Sequence, residues 1–317
     1  MPANTDFTEV IVTTLRNRSG MLADNVTNHN ALLRKIDAKG NRKSATGRSI
    51  VEELDYAENS TVGSYSGYDV IDTTPQDVIS AAEFDWKQIA GTVVFNGLEK
   101  VKNSGREAVI NWIAARMKNL ERSLKNELAT QLYGDGTGNG SKDIGGMQLL
   151  IADDPTTGSV GGINRANHAF WRNQVYDFSV NSATPGSDTI QTAMNKLHLA
   201  CVRGSDAPDC WVADATYFEY YWSSLQAQQR ITNDDKADAG FRSLAFLDAS
   251  VFYDDQCPAS HMYALNTDFL RLRYSEAENF TPGTPREAPN QNATITPVFW
   301  AGNLTLSNAA RQGVIIA

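Results

Sequence analysis

The chain has 317 residues, 41% of them apolar and 21% charged, with a net charge of −9 at neutral pH. These proportions exclude a disordered chain, and no run approaches the ~18 apolar residues that a membrane-spanning helix needs. The negative balance argues against a surface built to neutralise phosphates.

The start, Met1-Pro2-Ala3-Asn4-Thr5-Asp6, lacks a basic stretch followed by an apolar core, so the protein is expected to stay where it is made. Residues 1–33 are polar, with apolar patches at Val10–Val12 and Leu32–Leu33, and read as an arm with one helix near Met21–Ile36. From Arg34 to Arg48 the chain turns basic, through Lys35, Lys39, Arg42 and Lys43, which reads as a solvated turn. Two β-rich runs follow, Ser49–Tyr56 and Tyr65–Asp72, around a turn at Glu58–Gly63. They predict a two-stranded ribbon with little apolar content, which is marginal alone in water and needs a neighbour to lie on.

After Pro75 the alternation Val78, Ser80, Ala82, Phe84, Trp86 predicts strand, and a short helix is expected at Leu98–Lys102. Ser104-Gly105-Arg106-Glu107 has the form of a capping box. Behind it Val109, Ile113, Met117, Leu120, Leu124, Leu128 and Leu132 recur every three or four residues, the mark of a long amphipathic helix. Trp112, Ile113, Met117, Leu120 and Leu124 are expected to face inward. Glu121 and Lys125 form a favourable pair off that stripe, and Gly134 suits the helix stop. The remainder is mixed: helices at Ser187–Cys201 and Ala215–Gln228, and strands at Cys210–Val212, Ser250–Tyr253, Met262–Leu265 and Phe269–Tyr274. The proline-bearing segment Thr281–Pro297 must be extended, and Val298–Leu306 and Val314–Ile316 return to strand.

Chemistry-bearing constellations are few. The loop Gly134–Lys142 closes a helix and has Ser141 before Lys142, the reverse of a phosphate loop. As a calcium loop it lacks the bidentate glutamate where Gly146 sits, and it reads as a mobile linker. His198, Cys201 and Cys210 suggest zinc but show no fourth ligand. The three cysteines, Cys257 included, suit reduced thiols in a reducing compartment. The carboxylate pairs Glu52-Glu53, Asp153-Asp154 and Asp254-Asp255 are adjacent, so in extended chain they point apart. The aromatic group Tyr217, Phe218, Tyr220, Tyr221 and Trp222 spreads around a helix and reads as core plus interface. No catalytic, cofactor-binding or metal-ligating residues are expected, and the chain is not expected to be an enzyme.

Glu83–Val94 leading into the long helix, Tyr133-Gly134-Asp135-Gly136-Thr137-Gly138 ending it, and Val298–Leu304 with Arg311-Gln312-Gly313 carry a resemblance. The chain resembles the major capsid proteins of tailed bacteriophages with the Hong Kong 97-type fold, and the order of elements extends the likeness over nearly the whole sequence. The resemblance implies an α+β fold with an N-terminal arm (1–34), an extended E-loop hairpin (35–74) and an elongated peripheral or P-domain (75–142 and 268–308). The P-domain would carry a spine helix at 105–133, and an axial or A-domain would comprise 143–267 and 309–317. It implies a subunit that self-assembles into pentamers and hexamers of an icosahedral shell around double-stranded DNA. The expected partners are other copies, a portal, a separate scaffolding protein and a decoration protein, with no membrane. The expected location is the virion, after assembly in the host cytoplasm. An N-terminal scaffolding segment is expected to be absent or removed, and no lysine–asparagine cross-link is assigned. An encapsulin-like compartment shares the implied fold, and a soluble α/β enzyme is the rival of a different class.

The expected assembly interface comprises Arg42, Lys43 and Arg48 at the ribbon's root, Glu52, Glu53, Tyr65 and Tyr68 along it, and Lys118, Arg122 and Lys125 on a neighbour's spine. On that reading, reversing Glu52 and Glu53 to lysine leaves the subunit folded and misdirects assembly.

Overall fold

Residues 30–98, 106–226, 243–289 and 291–317 are described by the computed structural model. Residues 1–29 of the arm, the capping serine Ser104 and most of the helix expected at Leu98–Lys102 lie outside the described residues, as do the side chains of Val109, Trp112 and Ile113. In chain order the elements are α1 (Ala31–Ala38), β1 (Arg42–Ser44), β2 (Ile50–Asp55), β3 (Ile79–Phe84), β4 (Lys87–Asn96) and the spine α2 (Arg106–Tyr133). Then come β5 (Ser159–Val160), β6 (Ile163–Asn164), β7 (Gln174–Asp177), α3 (Ile190–Cys201), β8 (Cys210–Ala213) and α4 (Ala215–Gln226). The chain closes with β9 (Ser243–Phe246), β10 (Ala249–Tyr253), β11 (His261–Leu265), β12 (Leu270–Pro282), β13 (Arg286–Glu287), β14 (Ala293–Leu306) and β15 (Gly313–Ile316).

Two sheets organise these elements. A six-stranded sheet runs β7-β15-β11-β8-β10-β9, with β15 parallel to β7 and antiparallel to β11. All four residues of β8 are buried, because this sheet is covered on both faces. Trp211 and Ala213 face a core under α3 and α4, whereas Cys210 and Val212 face the second core. Ile190, Ala193, Met194, Leu197 and Cys201 form the buried stripe of α3, at helical spacing.

The second sheet places β12 between β1 and β14, with β13 and β4 also on β14. The fourteen-residue β14 carries Pro297 inside it, at the gap between its pairing with β12, which ends at Pro282 opposite Val298, and with β13, which starts at Arg286 opposite Ile295. Against this sheet lies the spine, 28 residues long and roughly 42 Å at 1.5 Å per residue. Met117, Leu124, Leu128 and Leu132 are buried, whereas Leu120 is only half-buried. Glu121, expected off the apolar stripe, is buried instead. At the spine's end the Tyr133 hydroxyl donates to Asp254 Oδ2 at 2.7 Å, within the core. Burial and the adjacent carboxylate push that phenol well above its usual pKa.

The loop after the spine is not a free linker. Asp135 is engaged by the amide and hydroxyl of Thr137 at 2.9 and 2.8 Å. Ile144–Met147 are buried, and a Cβ on Gly146 would lie 2.4 Å from the carbonyl oxygens of Gln131 and Leu132. Close packing on the last turn of α2 therefore holds the second half of the loop.

Candidate assembly surface

The ribbon grows from β2 and β3, which pair antiparallel with Ile50 opposite Phe84 and Asp55 opposite Ile79. Its return strand is therefore Ile79–Phe84 and not the expected Tyr65–Asp72, whose tyrosines, Val70 and Ile71 are side chains of the exposed tip. Alternation decides the register. Ile50, Glu52, Leu54, Ala82 and Phe84 point inward, and Val51, Glu53, Asp55, Ile79, Ala81 and Glu83 point outward. The Trp86 indole closes the base with a 3.0 Å bond to the Gly47 carbonyl.

Glu52 is the root's anchor. It is 2% exposed and accepts from Arg271 Nη1 at 2.5 Å, from Arg273 Nε and Nη2 at 2.6 and 3.1 Å, and from Thr305 Oγ1 at 2.9 Å. Burial would raise its pKa, but the bonds from Arg273 and Thr305 and the charges of Arg273 and Arg271 outweigh this and hold it below the usual range. Glu52 therefore does not belong to an exposed interface; its carboxylate is consumed within the subunit. The expected double reversal with Glu53 would unfold the root instead of testing assembly.

Arg42 needs the same correction. Far from a solvated turn, β1 pairs in parallel with β12, and the Arg42 guanidinium sits 5.1 Å from the Tyr274 ring and 3.7 Å from Asp37. Lys39 reaches Asp268 at 3.0 Å and Asp209 at 3.5 Å, so much of the basic stretch fastens α1 to its own subunit. Lys43 and Arg48 remain exposed.

Beyond Tyr56 the ribbon becomes a tip built from side-chain-capped turns. Asn59 Oδ1 accepts from the Thr61 amide and Asp72 Oδ1 from the Thr74 amide, each at 2.9 Å. The hydroxyl and amide of Thr74 lower the Asp72 pKa. Five apolar side chains stand in solvent here: Val62, Tyr65, Tyr68, Val70 and Ile71, with Val70 96% exposed. Between Ser49 and Trp86 there is no lysine or arginine, while carboxylates recur throughout. The tip is thus apolar and acidic at once. Exposed Lys118 and Arg122, with half-exposed Lys125, line the outer side of the spine and supply the opposite charge.

The chemical constellations do not assemble. Cys201 lies in the core under α3 and Cys210 in the other core, while His198 packs edge-on against Phe246. Among the described residues no three or more His, Cys, Asp or Glu side chains cluster as a metal site would require. Nor is any described helix long and apolar enough to cross a membrane. Tyr217 and Tyr221 are core residues, while Trp222 is 40% exposed.

No family model matches the chain, and no curated protein matches it in sequence. Solved structures do match in fold. A chain of the cyanophage A-1(L) capsid asymmetric unit is 16% identical with a TM-score of 0.69, over 87% of this chain and 90% of that one. A chain of the Myoviridae phage XM1 capsid is 10% identical, TM-score 0.54, over 88% and 90%. A chain of the satellite phage P4 procapsid, a structure that includes a size determination protein, is 11% identical, TM-score 0.54, over 96% and 90%. The fold is therefore the α+β phage-capsid fold that the Hong Kong 97-type resemblance implies.

Proposed function

We propose that this chain is a major capsid protein, a non-enzymatic subunit that self-assembles into pentamers and hexamers of an icosahedral shell around double-stranded DNA. The observation that carries the reading is the ribbon tip, which exposes five apolar side chains that no part of the described subunit covers. Burying one such side chain is worth about 1.5–3 kcal/mol, so several per subunit offset the cost of association. The capsid fold of the solved neighbours supports the same reading. In this reading β4, β12, β13 and β14 with the spine form the P-domain (75–142 and 268–308), to whose sheet the E-loop adds β1, and the six-stranded sheet forms the A-domain (143–267 and 309–317). Residues 1–34 are the arm and 35–74 the E-loop, whose strand β2 pairs with β3 at the start of the P-domain segment. A portal, a scaffolding protein and a decoration protein complete the proposed partners, and the virion, assembled in host cytoplasm, is the proposed location.

Negative-stain microscopy and nucleic-acid assay of the purified protein test this reading. Closed shells are expected, and DNA inside particles recovered from infected cells separates a capsid from an encapsulin-like compartment. A monodisperse monomer from low to physiological salt would sink the proposal. Replacing Tyr65, Tyr68 and Val70 together by serine should leave circular dichroism unchanged and abolish shells.

The acidic ribbon is proposed to meet Lys118, Arg122 and Lys125 of another copy. Each exposed pair contributes on the order of 0–1 kcal/mol, enough in repetition to bias register. Glu53→Lys, on the ribbon's outer face, is expected to keep the fold and impair assembly most strongly at low salt. Normal shells from that variant at low salt would remove the charge argument.

A further inference from the structure

The ribbon has two different kinds of attachment. Its root is locked: Glu52 is buried among its arginines, and the Glu83 amide donates to the Gly161 carbonyl at 2.9 Å. Gly161 lies at the β5–β6 turn with φ +58°, where a Cβ would lie 2.8 Å from that of Ala82, so the two backbones meet directly. Farther out the attachment changes character. The Tyr56 ring stacks on Phe170 at 4.7 Å between centroids and 23° between planes. Glu58 pairs with Arg203, whose turn is held by reciprocal main-chain bonds to Asp206 of 3.0 and 3.1 Å. Both partners of this ion pair are largely in solvent, and beside it an open cleft of about 560 Å³ separates the ribbon's flank from the Arg203 turn. Past Asn59, among the described residues, the tip's hydrogen bonds are all internal to it.

We propose that the Tyr56–Phe170 stack and the Glu58–Arg203 pair form a releasable latch that holds the ribbon against its own subunit until another copy takes up the apolar tip. The contrast between root and latch carries the inference. A contact meant to be permanent would be packed and dry, as Glu52 is, whereas an exposed ion pair over an unfilled cleft opens at little cost. An exposed pair is also screened by salt, so the latch loosens as ionic strength rises. Held, the tip is kept to a narrow range of positions; released, it is free to reach a neighbour. The release step rests on the shell reading above, whereas the latch is a property of one subunit.

The test uses the full chain below its assembly concentration and then above it. Arg203→Glu places two carboxylates together and should open the latch. Hydrogen exchange across residues 57–78 is then expected to quicken a few-fold with the melting temperature unchanged, and the lag before light scattering to shorten. The swap Glu58→Arg with Arg203→Glu should restore both. Unchanged exchange in Arg203→Glu would overturn the latch. Quickened exchange with an unaltered lag would overturn its role in assembly. A wild-type chain that never scatters would overturn the shell reading and the release step with it, while the exchange measurement still decides whether the latch exists.

Discussion

The Glu52→Ala variant is expected to lose about 3–5 kcal/mol of stability in urea unfolding, because it strands two guanidinium groups beside an apolar root. Arg273 and Arg271 are 18% and 29% exposed, and both direct their ion pairs at this one carboxylate. Glu53→Ala, one residue along and on the outer face, should stay within ~0.5 kcal/mol of wild type. The effect has a pH signature. A carboxyl held below its unfolded pKa contributes stability that is present above the unfolded value and lost as pH falls through the folded one. The advantage of wild type over Glu52→Gln should therefore be full above about pH 5 and shrink below about pH 4. An advantage that grew on acidification would mean that Glu52 is not ionised in the folded subunit.

Leu132→Ala should cost about 2–5 kcal/mol, measured in the same way, because the side chain is completely buried where the spine, the loop at Gly146 and the six-stranded sheet converge. Leu120→Ala, from a half-buried position on the same stripe, should fall below that range. Equal losses at the two sites would indicate that the spine packs uniformly along its length.

Regular, local signals were readable in the residues themselves. The spine, α3, α4 and strands β8, β10 and β11 lie within a few residues of their expected bounds, because each is announced by its own apolar period. What misled was equally physical. Tyr65, Tyr68, Val70 and Ile71 have high β-propensity, yet propensity reports a fit to a half-buried pleat, and the single subunit offers the tip none. The true return strand, Ile79–Phe84, showed its alternation plainly but not its partner. Nor could adjacency show that Glu52 would meet arginines 219 and 221 residues away. The interface candidates failed where a charged residue was taken for a surface residue: Glu52 and Arg42 are spent inside the subunit. Tyr65, Tyr68, Lys43, Arg48, Glu53, Lys118 and Arg122 are exposed, as an interface in this reading would need.

The position of β15 sets a timetable for synthesis. Gly313–Ile316 fills the slot between β7, at residues 174–177, and β11, at residues 261–265. A nascent chain can have completed α3, α4 and the four strands β11-β8-β10-β9 and still lack the strand that joins β7 to them. Until residue 316 clears the ribosome, β7 has no neighbour and the groups along β11 that β15 will bind stay unpaired. Non-local pairing of this kind slows folding, because the long connections between β7, β11 and β15 must close before the strands can pair.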